Sequence, residues 1–278
     1  MAALLISRGH GRTRDVATLP ETESAATDAP ANGLDSPISA RSGWAYFIVG
    51  TALMAIAFGM LFVLSGKDVD WYVREDSLVE WTGAIGLFVG SALFLASFVV
   101  ARRRGALQVG LTRLGVWMLL VMSFGLFAGF GEEISWGQRI FNYGEPGVAN
   151  SVNAQGEMNL HNLNVFQGGT IDSDRLFRLG YFVLFVFIPL GVWASKRLRA
   201  RLAPNFPIMP MWLAALFLMA WVLSEITNHV IGSSYPASAT FPLSHSLSEV
   251  LETSVETMTA IAGYLSLRRS RLFRASAR

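Results

Sequence analysis

Two adjacent carboxylates at the end of an apolar segment are the first residues of this sequence that could do chemistry. Glu132 and Glu133 follow directly on the run from Val116 to Phe130, in which Ser123 is the single polar residue. Ionisable residues at a membrane edge normally face a bundle interior or a water-filled cavity and indicate a functional site. We expect Glu132 or Glu133 to act as a general base, because partly buried paired carboxylates can exchange protons near neutral pH. Arg139 is a third catalytic candidate, since it could clamp the pair or bind a phosphate, although an arginine that snorkels to the interface is the alternative.

Histidines paired with glutamates suggest a metal site. Glu157 with His161, Glu225 with His229, and His245 with Glu249 are each four residues apart. Imidazole and carboxylate suit Zn, Fe or Mn, so the predicted ligands are His161, Glu225, His229, His245, Glu249 and Glu252. The spacing matches neither the H-E-x-x-H zinc motif nor the Glu-x-x-His pair of di-iron bundles. Ion pairs or hydrogen bonds that join helices are the alternative interpretation.

A single helical stripe carries four ionisable residues near the C-terminus. His245, Glu249, Glu252 and Glu256 are spaced i, i+4, i+7 and i+11, which places them on one face of a helix. Exposure of such a stripe to lipid would be prohibitive. The stripe is therefore expected to turn inward, toward Glu132 or Glu133.

A long polar connection, predicted over residues 132–176, is the candidate substrate-binding region. Its densest polar stretch contains Gln155, Glu157, Asn159 and Asn162. Amide and carboxylate side chains offer the paired donors and acceptors that suit a sugar or a lipid headgroup. The alternative is that Asn and Gly serve here as turn formers.

The composition indicates a membrane protein. The 278 residues are 52% hydrophobic and 15% charged, which is too apolar for an ordinary soluble domain of this length. There is no cysteine, so disulfides, thiolate metal ligands and a cysteine nucleophile are excluded. The basic clusters are short, and no phosphate-binding glycine loop occurs, so nucleic acid is not an expected partner.

Six helical segments are predicted to cross the bilayer, because each approaches the roughly 20 apolar residues that a crossing requires. They form an all-α, polytopic bundle over residues 43–268, between a disordered N-terminal tail at 1–42 and a basic C-terminal tail at 269–278. The segments are Trp44–Ser65, Trp81–Ala101, Leu114–Gly131, Phe177–Ser195, Met209–Ile231 and Ser248–Leu267. Pro189 is expected to kink the fourth.

The basic residues predict the orientation. Of the 22 Lys and Arg residues, 17 fall in the N-terminal tail, in the connections after the second and fourth segments, and in the C-terminal end from Arg268 onward. The positive-inside rule therefore places both termini in the cytoplasm, and in the inner membrane if the source is bacterial. The Glu and His residues described above then lie at the extracytoplasmic face.

Two motifs carry a resemblance to a known family: the Glu pair is followed by an aromatic residue and Arg139, and His245-x-x-x-Glu249 comes later in the chain. In these motifs the sequence resembles the intramembrane glutamate proteases of the CAAX-processing and Abi type and their PrsW-type relatives. This resemblance implies that the Glu pair activates water and that a later His stabilises an oxyanion. Here Arg139 follows Glu133 by six residues instead of four, no Phe-x-x-x-His pair is present, and the last motif ends in Glu.

Together these features predict a membrane-embedded hydrolase or transferase that acts on a lipid-linked or membrane-proximal substrate. A proton-coupled or cation-coupled carrier would use the same residues to relay protons or bind a cation. A scaffold or sensor that binds a partner through the long loop is the third hypothesis. The absence of an internal repeat between residues 44–131 and 177–267 counts against a carrier.

Overall fold

Helices form the regular structure of this computed structural model, which describes residues 40–141, 173–232 and 234–272 and has no strand in those ranges. In chain order the α-helices are α1 (Ala40–Val63), α2 (Gly66–Val73), α3 (Leu78–Arg104), α4 (Arg113–Glu133), α5 (Gln138–Phe141), α6 (Ser173–Tyr181), α7 (Ile188–Ala194), α8 (Lys196–Leu202), α9 (Met211–Ile231) and α10 (Leu243–Leu272). Residues 1–39 of the predicted N-terminal tail lie outside the described residues, and α1 begins within the last three residues of that tail.

Five helical stretches of the described residues are long and apolar enough to cross a membrane. They are Arg41–Val63, Gly66–Arg104, Arg113–Glu133, Leu176–Ala194 and Met211–Ile231. Each overlaps one of the first five predicted segments. The prediction of an all-α, multi-pass membrane protein is therefore confirmed.

The sixth predicted segment lies within α10, which is 30 residues long but too polar to be counted with these five. Its buried residues include Ser254, Glu256 and Thr259 as well as many apolar side chains. A helix that other helices enclose can carry polar residues, because those residues meet protein and not lipid. The polar composition of α10 is thus that of an inner helix.

The contact between α3 and α10 is the most extensive in the described part of the bundle. Glycines allow the two backbones to approach: a Cβ atom at Gly86 would lie 2.6 Å from Thr257 Cα, and one at Gly263 would lie 2.8 Å from the Gly90 carbonyl oxygen. Small residues at such a contact favour helix association in a membrane, where close packing replaces the hydrophobic effect. The α3 and α10 backbones therefore form the closely packed centre of the fold.

Helix α4 packs against α3 through a pair of buried serines. Ser91 Oγ donates to the Ser123 carbonyl oxygen at 2.9 Å, and Ser123 Oγ donates to the Ser91 carbonyl oxygen at 3.0 Å. Because α3 and α4 run in opposite directions, the start of α3 and the end of α4 lie at the same end of the bundle. The first half of α10 packs at that end.

The fourth membrane-spanning stretch contains a π-helix, Phe182–Phe187, between α6 and α7. The Ile188 N–H donates to the Val183 carbonyl oxygen, five residues earlier. Pro189 has no N–H and its ring crowds the preceding turn, so it disfavours a regular α-helix at the position where the sequence predicts a kink. Short π segments occur frequently at functional sites.

Helix α2 holds the chain that leads into α10. The Asp70 carboxylate accepts from the Thr240 N–H at 2.8 Å and from the Phe241 N–H at 3.2 Å. The Tyr235 hydroxyl is 2.7 Å from Ser246 Oγ in the first turn of α10. Burial raises the pKa of Tyr235, and the Asp70 charge adds to this effect, whereas the hydrogen bond with Ser246 opposes it. These contacts fix the start of α10 at the end of the bundle that carries the glutamates.

Candidate functional site

Glu256 is the buried centre of the candidate site. Its residue is 4% exposed and lies near the middle of α10, on the side that packs against α3. A Cβ atom at Gly83 of α3 would collide with Glu256 Oε2, so the absence of a side chain at Gly83 makes room for this carboxylate. A carboxylate in such a position is costly unless neighbouring groups or a ligand compensate for its burial.

Four further glutamates contribute to the electrostatic environment of Glu256. It interacts electrostatically with Glu133, Glu252, Glu249 and Glu80, in decreasing order of strength. We call these five residues the carboxylate cluster. Glu133 ends α4, Glu80 lies in the first turn of α3, and the other three are on α10, so three helices contribute to it. The predicted inward turn of the α10 stripe toward the Glu pair agrees with this arrangement.

Glu132 and Glu133 have different surroundings, although both are half-buried. Trp136 Nε1 donates to Glu132 Oε1 at 2.8 Å, and the indole ring packs against Gly131. Glu133 is instead the member of the pair that interacts with Glu256. The two candidate bases are thereby distinguished by their neighbours.

The backbone after the pair adopts an unusual conformation. Ser135 has a φ of 46° and Trp136 a φ of 53°, and Gly137 follows at 83°. Non-glycine residues in this left-handed region are uncommon, and each costs on the order of 1–3 kcal/mol unless the surroundings enforce it. Such strain tends to cluster at functional sites, and here it directs the Trp136 ring back over the end of α4.

Glu80 has a structural role in addition to its place in the cluster. Ser77 Oγ accepts from the Glu80 N–H at 3.3 Å, and Glu80 Oε2 in turn accepts from the Asp76 N–H. The arrangement differs from a capping box in one partner, because Glu80 accepts from the residue before the N-cap Ser77, but both contacts satisfy backbone donors at the start of the helix. Glu80 therefore holds the start of α3 beside the cluster, and the cap alone is sufficient to explain its presence.

Arg178 of α6 approaches the cluster from a fourth element. Its Nη2 donates to Ser248 Oγ at 3.3 Å, and Ser248 Oγ donates to Glu252 Oε1 at 2.9 Å. One turn earlier on α10, His245 Nδ1 lies 3.6 Å from Glu249 Oε1. The cluster thus has a cationic side chain and an imidazole at its margin.

Five of the six predicted metal ligands lie among the described residues, on two different helices. Glu225 and His229 are exposed on α9, whereas His245, Glu249 and Glu252 are half-buried on α10. His161 lies outside the described residues. Among residues 40–141, 173–232 and 234–272 no group of three or more His, Asp or Glu side chains is arranged to hold a metal ion. A site for Zn, Fe or Mn stays a prediction.

The predicted substrate-binding residues Gln155, Glu157, Asn159 and Asn162 also lie outside the described residues. Arg139 lies in the short helix α5, six residues beyond Glu133.

Three residues of the site were absent from the sequence-based candidates. Glu256 belongs to the predicted stripe, and its position on that stripe was the signal that could have identified it. Glu80 could have been found through the Ser-x-x-Glu capping pattern, which gives its helix position but not its neighbours. Arg178 follows no motif, because its contact with Ser248 depends on how α6 packs against α10.

Comparison with known proteins gives no assignment. The chain matches no family model, and searches of curated proteins and of solved structures gave no significant match.

Proposed function

We propose that this protein is a membrane-embedded hydrolase that uses Glu133 and Glu256 as a paired general base and general acid. The observation that carries the proposal is the convergence of carboxylates from three helices around the buried Glu256. Interacting carboxylates in a buried site favour a shared proton over full ionisation of both, which is how paired carboxylates divide the roles of acid and base.

The reaction needs water and two carboxyl groups. Glu133 accepts a proton as the water oxygen bonds to the acyl carbon or phosphorus of the substrate. The bond to the leaving oxygen breaks, and Glu256 gives its proton to that oxygen. One water is consumed, and the proton returns from Glu133 to Glu256 within the cluster. General acid–base catalysis of this kind contributes about 10²–10⁴-fold to a rate.

The substrate is expected at the end of the bundle that carries the cluster. The concentration of basic residues in the connections and tails supports an orientation with that end on the extracytoplasmic side and both termini in the cytoplasm. A bacterial source would make this the outer leaflet of the inner membrane. A lipid-linked or membrane-proximal substrate could reach the cluster there without crossing the bilayer.

A proton-coupled carrier is the second candidate. Glu249, Glu252 and Glu256 lie about one helical turn apart and lead from half-buried positions to a buried one. Such a series could relay protons. The two functions are separable, because a carrier moves protons or substrate across the membrane without breaking a bond.

The test is incorporation of oxygen from ¹⁸O-labelled water into products of a total lipid extract, with the protein in liposomes. Wild-type protein should introduce the label, and Glu256→Gln should reduce the rate by about 100-fold or more. Glu225→Gln, which alters an exposed glutamate on α9, is the matched control and should keep the wild-type rate.

The proposal would be contradicted if a correctly inserted Glu256→Gln variant incorporated ¹⁸O at the wild-type rate. If wild-type protein incorporates no label but dissipates a proton gradient in the same liposomes, and Glu256→Gln does not, the carrier is favoured.

A further inference from the structure

Arg178 and Tyr181 present buried polar atoms without hydrogen-bond partners. Arg178 Nε and the Tyr181 hydroxyl are both shielded from solvent, and neither has a hydrogen-bond partner within the described part of the chain. Tyr181 as a whole is 4% exposed. A buried donor that lacks an acceptor costs about 1–3 kcal/mol, so two such groups together require an explanation.

The two side chains share one face of α6. They are three residues apart, which places neighbouring side chains on the same side of a helix, and they interact electrostatically. Stacking of the Tyr181 ring on Phe182 at a centroid distance of 4.6 Å fixes the ring. The hydroxyl and the guanidinium therefore lie on the same face of the helix and interact with each other.

This pair borders the carboxylate cluster. The Arg178 Nη2 is tied to Ser248, and Ser248 is tied to Glu252, so the guanidinium is oriented toward α10 at the level of the cluster. A guanidinium has five N–H donors in a fixed fork, and one bond to Ser248 leaves donors for an oxyanion. The π-helix begins directly after Tyr181, and short π segments frequently mark functional sites.

We propose that Arg178 and Tyr181 form a binding subsite for a phosphate group of the substrate. Arginine binds phosphate through two parallel charge-assisted hydrogen bonds, and the Tyr181 hydroxyl supplies a further donor. In a site shielded from water these bonds are stronger than at an exposed surface. The inference rests on the proposed function for the identity of the ligand as substrate, and it names the substrate class as a phosphate-bearing lipid or a soluble phosphate ester.

Equilibrium binding to the detergent-purified full chain tests the subsite without turnover. Native mass spectrometry would give the Kd for phosphatidylglycerol, for diacylglycerol with the same acyl chains, and for glycerol phosphate. We expect phosphatidylglycerol to bind at least tenfold more tightly than diacylglycerol, because the two lipids differ in the phosphate-bearing headgroup. Binding of glycerol phosphate as well would identify a soluble ester as the ligand, and binding of phosphatidylglycerol alone would identify a lipid.

Three variants locate the binding. Arg178→Gln should weaken phosphatidylglycerol binding by about tenfold, which corresponds to about 1.4 kcal/mol, and Tyr181→Phe should weaken it several-fold while the ring packing stays. Arg74→Gln, at an exposed arginine just after α2, is the matched control and should bind as the wild type. Arg178→Lys keeps the charge but lacks the fork, so it should bind between Arg178→Gln and the wild type.

Equal affinity of folded Arg178→Lys, Tyr181→Phe and wild-type protein would overturn the subsite, as would equal binding of diacylglycerol and phosphatidylglycerol. Glu256→Gln separates the two proposals, because it keeps Arg178 and Tyr181 and removes only a negative charge, so it should bind phosphatidylglycerol at least as tightly as the wild type. Normal binding with full turnover in Glu256→Gln would contradict the hydrolase and leave the subsite standing.

Discussion

Trp136 contacts one of the two adjacent glutamates at the end of α4. Its indole N–H donates to Glu132, and its ring lies against Gly131, where any side chain would collide with it. Glu133 interacts with Glu256. We therefore assign the proposed general base to Glu133 and a positioning role to Glu132.

Substitution of each glutamate by glutamine tests this assignment. Glu133→Gln should lower the rate of ¹⁸O incorporation by about 100-fold, because glutamine cannot accept the proton from water. Glu132→Gln should keep the rate within about threefold, because an amide oxygen still accepts the hydrogen bond from Trp136. Equal losses in the two variants would contradict separate roles.

Substitution of Gly83 tests whether the position of the Glu256 carboxylate matters, without removing any carboxylate from the sequence. Gly83→Ala would place a methyl group against Glu256 Oε2, whereas the nearest α10 backbone atom, Thr253 Cα, would be 3.2 Å away. The carboxylate must move while the backbones need to shift little. We expect turnover to fall at least tenfold and the thermal midpoint of unfolding to change by only a few degrees.

Gly125→Ala is the control for this substitution. Gly125 is also within a membrane-spanning helix, but a Cβ atom there would meet no atom within 4 Å. Its turnover should equal that of the wild type. Full activity in Gly83→Ala would show that the position of Glu256 does not matter to the reaction.

Among the helices, the close contact of α3 with α10 brings Glu80 of α3 near the glutamates of α10. At Gly86 the added Cβ would lie 2.6 Å from Thr257 Cα and 2.8 Å from the Glu256 carbonyl oxygen. These are backbone atoms, so the helices themselves would have to separate. Substitution of Gly83 should therefore lower activity more than stability, whereas substitution of Gly86 should lower stability.

Gly86→Ala should destabilise the protein by about 1–3 kcal/mol, the usual cost of overpacking a tight contact. The measurement is unfolding of the detergent-purified protein, with Gly125→Ala as the reference for the intrinsic helix preference of alanine over glycine. An unfolding midpoint for Gly86→Ala equal to that of Gly125→Ala would contradict the close α3–α10 approach.

The helices that could be predicted from the sequence are those whose composition is set by contact with lipid. The five apolar stretches follow from length and composition, because a helix facing lipid must be apolar. Helix α10 was predicted from its apolar half, and the inward turn of its stripe followed from the cost of charge in lipid. The length of α10, from Leu243 to Leu272, depends on neighbours that composition does not specify.

The candidate site could be predicted only in part, because the sequence does not specify which helices contact each other. The His–Glu spacing grouped Glu225 and His229 with His245, yet the first two are exposed on α9. Spacing along one helix fixes a face but not what that face meets. Which of Glu132 and Glu133 meets α10 depends on how α4 packs beside α10, and the sequence does not specify that packing.

At the scale of the whole molecule, charge segregation predicts which end faces the cytoplasm. Because the chain has no cysteine, single cysteines can report this directly. Leu107, between α3 and α4, is 84% exposed, and Ala237, between α9 and α10, is also exposed. The two positions lie at opposite ends of the bundle.

A membrane-impermeant maleimide applied to intact cells or right-side-out vesicles should label Ala237→Cys and leave Leu107→Cys unlabelled. Leu107→Cys should react after the membrane is permeabilised, which controls for its reactivity. The reverse pattern would place the carboxylate cluster at the cytoplasmic face and contradict the proposed orientation.

Comparison of Glu133→Gln, Glu256→Gln and the double variant in the ¹⁸O-water assay tests whether the two carboxylates act as one pair. Residues that act as one unit are not additive, so the double variant should be no slower than the slower single variant. Losses that multiply in the double variant would show that Glu133 and Glu256 act independently, and would contradict a shared acid–base pair.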